Sequence, residues 1–163
     1  MKFHLSRRID EHVLREAIRI VLMHHVLMTG EMHLDEKEPF FALHRYDDVD
    51  ITCVDLPNGS DDQGEIERVH DRFFEQSLGD RPVRFLLIRS DAESFFALKC
   101  THIALDGFGT FCFAGFICDI YTRLMRGENV PIDEHPVWLD VYREDREHFA
   151  SAKFARDMEF WKR

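Results

Sequence analysis

The run Thr101, His102, Ile103, Ala104, Leu105, Asp106, Gly107, Phe108, Gly109 gathers the residues of this chain best suited to chemistry. An imidazole titrates near neutrality. Held at the mouth of a cleft, it can take a proton from an amine or alcohol while that nucleophile attacks an acyl group. His102 is the candidate base. Such an attack also needs donors for the developing oxyanion, and backbone N–H groups of the glycine-containing turn from Asp106 to Gly109 are suited to that task. Glycine there lets a substrate approach the backbone closely.

Plainer readings compete at each position. A histidine after a strand is commonly a hydrogen-bonded structural residue, and Asp-Gly is commonly a turn. Cys100 lies two residues before His102, where alternate strand positions share a face, so a cysteine–histidine nucleophile is conceivable. A cysteine inside an apolar strand is nonetheless expected to be inert packing. The chain has ten histidines, but it contains no H-E-x-x-H, no paired cysteine motif and no His-x-His, so no metal site is expected. Neighbours on a helix point in different directions, so one of His24 and His25 should pack on the sheet while the other meets solvent. Phe108, Phe111, Phe113 and Phe116 read as core.

The elements that must position these residues follow from periodicity. Ser94 to Thr101 is apolar enough for a buried strand, and with Val83 to Arg89 it forms an expected hairpin around Ser90 and Asp91. A helix from Phe108 to Arg126 follows, ended by Gly127. His102 therefore stands where a strand ends and a helix begins, a junction that exposes one side chain on a rigid scaffold. Upstream, Phe3 and Leu5 open a strand, and Asp10 caps a helix whose apolar positions run from Val13 to Leu27. Glu38 to Arg45 and Val49 to Asp55 read as strands, with a turn at Pro57 to Ser60 and a second helix from Asp61 to about Leu78. Residues 129–136 are a linker, and Val137 to Arg163 forms one or two peripheral helices.

With 163 residues, 45% of them hydrophobic, the chain can bury a real core. Thirty-one acidic against 21 basic residues give a formal charge of −10, which repels nucleic acid and anionic membrane surfaces alike. Cys53, Cys100, Cys112 and Cys118 read as buried free thiols, which with the lack of a signal peptide's apolar core points to the cytoplasm.

The stretch Thr101 to Gly107 resembles the H-H-x-x-x-D-G motif of condensation domains in nonribosomal peptide synthetases, relatives of chloramphenicol acetyltransferase. The segment Ile9 to Thr29, ending His24-His25-Val26-Leu27-Met28-Thr29, is similar to that family's early helix with its R-H-x-x-L-R-T ending. Asp157 to Trp161 is similar to its later Y-W helix. The resemblance implies an α/β fold: half of the chloramphenicol acetyltransferase architecture, with a mixed β-sheet covered by helices in a two-layer sandwich. It implies that residues 1–163 form a single domain, the N-terminal lobe, with the second lobe absent.

The implied activity is acyl transfer: a carrier-bound acyl thioester joins an amine to form a peptide bond, as in antibiotic or siderophore biosynthesis. The acyl groups would arrive on phosphopantetheine arms, with no cofactor bound directly. Implied partners are peptidyl or aryl carrier proteins and the remaining lobe of the domain. His102 matches the catalytic histidine, Gly107 the glycine whose N–H lies near the reacting carbonyl, and Asp106 an aspartate used structurally. Thr101 replaces the motif's first histidine, and Met28 stands where an arginine would pair with the aspartate. Asp106 then needs another donor, meets solvent, or has no structural role, and Arg15, Arg19 and Arg89 are candidate partners. The alternative is a non-catalytic lobe, truncated or degenerate, that binds a carrier protein or synthetase partner.

Overall fold

A computed structural model of the chain describes residues 1–35, 37–43, 49–57, 63–91, 93–131 and 137–162. The elements in order are β1 (Lys2–Leu5), α1 (Glu11–His24), β2 (Gly30–His33), β3 (Phe40–Leu43), β4 (Ile51–Asp55), α2 (Gln63–Glu75), β5 (Val83–Arg89), β6 (Ser94–Cys100), α3 (Gly107–Met125), α4 (Val137–Phe149) and α5 (Ala152–Trp161). The chain divides into two compact units, residues 1–132 and 133–163.

The larger unit is built on a four-stranded mixed sheet in the order β1-β6-β5-β4. The expected hairpin forms: β5 and β6 pair antiparallel with Phe85 opposite Leu98, and Ser90 N–H closes the turn on Glu93 O at 2.9 Å. β4 joins parallel to β5, and β1 lies antiparallel on β6. Because side chains alternate along a strand, Phe85, Leu87, Phe96 and Leu98 enter one core with the buried faces of α1 and α3. Leu86, Ile88 and Ala97 point to the opposite face, where Ile66 and Phe73 of α2 meet them. The mixed sheet is covered by helices as expected, with α1 and α3 on one face and α2 on the other rather than in two layers alone.

Asp10 caps α1 as its sequence suggests, accepting Val13 N–H at 3.1 Å. The helix stops at His24, however, and Val26–Thr29 is a 3₁₀ turn rather than a continuation. Gly30 then begins β2, which pairs with β3 as a separate two-stranded ribbon. Gly-Glu-Met-His carries no β-branched or strongly alternating signal, so nothing local announced it. α2 is shorter than expected, Gln63–Glu75, and Asp61, Asp62 and the tip of the preceding turn lie outside the described residues. Gly127 ends α3 with φ at 71°, the left-handed conformation that glycine tolerates.

At the end of the sheet where β4 and β5 finish, charged side chains tie the elements together. Arg89 reaches Asp55 at 2.8 Å and Glu11 at 3.1 Å, Arg8 joins Asp55 at 2.8 Å, and Arg15 holds Glu11 at 2.9 Å. Cys53 lies among them, its thiol pushed up to about 11 by burial and the neighbouring Glu11. The four cysteines are free and partly rather than fully buried. In the smaller unit, Ser151 caps α5 by accepting Phe154 N–H at 3.1 Å, and Phe149 meets Phe154 edge-on at 5.0 Å. Among the described residues no helix is long and apolar enough to cross a membrane.

Candidate active site

β6 ends at Cys100 and the chain immediately folds into a tight turn. Thr101 N–H donates to Pro82 O at 2.9 Å, anchoring the turn beside the start of β5. The Thr101 carbonyl accepts from Ala104 N–H at 3.1 Å and Leu105 N–H at 3.2 Å, while its hydroxyl accepts from Ile103 N–H at 3.4 Å. Ala104 and Leu105 pack on the core, and this leaves His102 and Ile103 exposed at the outer point of the turn. Thr101 itself is half-buried.

Asp106 is the N-cap of α3. Its carboxylate accepts Gly109 N–H at 2.6 Å, and its carbonyl accepts Thr110 N–H at 2.9 Å and the Thr110 hydroxyl at 2.7 Å. Asp106 is exposed to solvent and has a backbone donor. Arg15 and Arg89 are engaged in the network at the other end of the sheet, and Arg19 is held by Glu16 at 2.6 Å. Met28 is buried in the core.

The two glycines of this turn differ. A Cβ on Gly109 would come within 3.1 Å of the Asp106 carboxylate and 3.3 Å of Leu105, so a side chain there would crowd the cap. A Cβ on Gly107 would meet nothing within 4 Å. Gly107 is the first residue of α3, and its N–H, like others of a first helical turn, has no acceptor within the helix.

Behind the turn, the Cys100 thiol and Thr110 hydroxyl are 3.3 Å apart. Cys100 is thus engaged with the first turn of α3. Lys99, only 9% exposed, donates to the carbonyls of Phe73 at 2.5 Å and Gln76 at the end of α2, and burial lowers its ammonium's affinity for protons. The signal for this clamp was a lone lysine in an otherwise apolar strand. Thr110 gave no comparable signal.

Two expectations about neighbouring aromatics need correction. His25 packs against α3, not the sheet: it stacks on Phe116 at 5.9 Å and meets Phe113 edge-on at 5.6 Å, while His24 is exposed. Of the α3 phenylalanines only Phe113 is core; Phe108 and Phe111 are 77% and 61% exposed, and Phe116 is also exposed. The apolar residues wrap around the helix, but only Phe113, Ala114 and Ile117 are fully buried, with Ile120 and Tyr121 packed beside them.

The family model described as "Condensation domain" matches residues 1–163. The chain belongs to the condensation domain family. Among curated relatives of this condensation-domain chain, a plipastatin synthase subunit of Bacillus subtilis (strain 168) is 24% identical over 147 residues, which is 90% of this chain and 5% of the relative. Isonitrile lipopeptide synthase of Streptomyces coeruleorubidus is 40% identical over 60 residues, 37% of this chain and 4% of that protein. Among solved structures, the starter condensation domain of rhizomide synthetase RzmA superposes with a TM-score of 0.84 at 18% identity, covering 98% of this chain and 40% of that one. VibH, an NRPS condensation enzyme, superposes with a TM-score of 0.77 at 19% identity, covering 99% and 38%. The condensation-domain chain therefore spans about two fifths of these solved structures and about a twentieth of the first curated relative.

Proposed function

We propose that this chain is the N-terminal lobe of a condensation-type acyltransferase, contributing one wall of a site that joins a carrier-bound acyl thioester to an amine. The observation that carries the reading is the exposed His102 imidazole after the end of β6, just before Gly107 at the start of α3, whose N–H has no acceptor within the helix. In this reading His102 accepts the amine proton as the nitrogen attacks the thioester carbonyl. Gly107 N–H stabilises the resulting oxyanion. Collapse forms the amide, breaks the carbon–sulfur bond, and returns the proton to the departing thiolate of the phosphopantetheine arm. Asp106 and Thr101 act by fixing the turn.

Positioning two tethered substrates and excluding water supply a large share of the rate in such a transfer. The remaining lobe and the peptidyl or aryl carrier proteins are the partners this chemistry requires. The test is single-turnover condensation, in the assembled two-lobe domain, between a loaded donor carrier and an acceptor amine. His102→Ala should lower the rate by about 10²-fold or more, in the range of general-base catalysis. Undiminished turnover in that variant sinks the assignment.

A second reading, a non-catalytic lobe kept for binding a carrier protein or synthetase partner, is favoured by Thr101 and the core-buried Met28 at two motif positions. Carrier binding without condensation in the unmutated domain would select it.

A further inference from the structure

A cavity of about 540 Å³ lies within the larger unit, between the end of β1, the start of α1 and the second half of α3. From Gly107 to Tyr121 α3 rises about 20 Å at about 1.5 Å per residue, so the cavity lies well away from His102. Its volume falls in the range of about 300 to 1,000 Å³ typical of small-molecule sites. Leu5, Phe96, Ile117 and Met125 supply apolar walls.

Ser6, Thr122 and three larger polar side chains, Arg7, Tyr121 and Arg126, also line it, and the chemistry of those three is one-sided. Arg7 has no ion-pair partner among the described residues, and Arg126 has only a 3.9 Å contact with Glu128. The Tyr121 hydroxyl accepts Asp10 N–H at 3.1 Å, which leaves its own proton available to an acceptor. All three can donate hydrogen bonds, two of them carry positive charge, and no carboxylate lines the cavity among the described residues. In a chain of formal charge −10 that is a local inversion of sign.

We propose that this cavity is a binding site for an amphipathic monoanion, a medium-chain or aryl carboxylate whose body fills the apolar walls and whose head meets Arg7, Arg126 and Tyr121. A planar guanidinium matches a carboxylate bidentately, and a neutral ligand of the same length forgoes those charge-assisted bonds. The site is independent of the acyl-transfer reading, since it uses neither His102 nor the turn that carries it.

The test is titration of the ¹⁵N-labelled chain with decanoate below its micellar concentration, following amide shifts, with 1-decanol and acetate as matched probes. Decanoate should give saturable shifts confined to residues 5–9 and 117–126, with decanol weaker by about tenfold or more and acetate weaker still. The double variant Arg7→Gln/Arg126→Gln should lose affinity by a similar factor. Thr122→Trp, which crowds the cavity from an exposed position, should abolish saturation. Absence of saturable shifts in these segments overturns the proposal, as does equal affinity for decanol or an unchanged double variant. The comparison of decanoate with decanol uses the unmutated chain and stands even if a variant fails to fold.

Discussion

At the scale of single residues, Asp106 shows how one side chain's work can be reassigned while its position is kept. The sequence marks it as an aspartate short of an arginine, whereas in the fold its carboxylate caps α3 through Gly109 N–H. An ion pair would need the negative charge, but a cap needs only an oxygen acceptor in place. Asp106→Asn should therefore hold stability within about 0.5 kcal/mol, whereas Asp106→Ala should lose about 1 kcal/mol, typical of an N-cap. Urea denaturation distinguishes the two, and equal losses in both variants would point back to a charge partner. His102 was legible because histidine is conspicuous at a strand end. The difference between Gly107, where a side chain would meet nothing, and Gly109, where one would crowd the Asp106 carboxylate, was not, since both are glycines in one turn and only the atoms around them differ.

At the scale of elements, legibility followed the strength of local signals. The β5–β6 hairpin, the Asp10 cap and the Gly127 stop could all be read from residue types. β2 could not, because its pairing with β3 is a tertiary contact. Lys99 shows an element held by a polar clamp: its ammonium meets the last carbonyls of α2, where unpaired acceptors and the helix dipole favour a cation. Lys99→Met keeps the apolar stem and removes that donor. We expect a loss of about 1 to 3 kcal/mol, with faster hydrogen exchange in the last turn of α2 and little change in α1. On α3 the faces should separate as sharply. Phe113→Ala should cost about 3 to 5 kcal/mol as a cavity in the core, and Phe111→Ala no more than about 0.5 kcal/mol, since that ring is exposed. Periodicity alone could not separate these rings, because apolar residues occur around the whole helix.

At the scale of the whole molecule, buried and paired ionisable groups set how stability varies with pH. His25 is half-buried against Phe113 and Phe116, and burial, with His24 alongside, lowers its proton affinity below the ordinary value of 6.5. Below 6.5 the unfolded chain takes up a proton that the folded chain resists, so stability falls with the pH until the lower folded value is passed. Glu11, hydrogen-bonded by Arg15, and Asp55, held by Arg89, act further down. Their contribution is present above their ordinary values of 4.5 and 3.8 and is lost as the pH falls through the depressed folded values. Cys53 shapes the alkaline side: its folded thiol ionises at about 11 against an ordinary 9.0, so stability is full below 9.0 and declines as the pH rises toward 11. From His25 and Cys53 the melting temperature should decline as the pH falls below roughly 6.5 and as it rises above roughly 9; the Met1 amine, lowered by burial from 8.0, extends the acid-side decline upward toward 8, and Lys99, lowered by burial from 10.5, offsets part of the alkaline one. His25→Phe preserves the aromatic contact with α3 but cannot titrate, and it should flatten the slope immediately below pH 6.5 while leaving the alkaline limb in place. Cys53→Ala should leave the acid slope in place and flatten part of the alkaline limb, the remainder staying with Cys118, whose thiol burial also raises. Melting curves at a series of pH values decide this: an unchanged acid slope in His25→Phe would mean that the imidazole is protonated in the fold as readily as outside it.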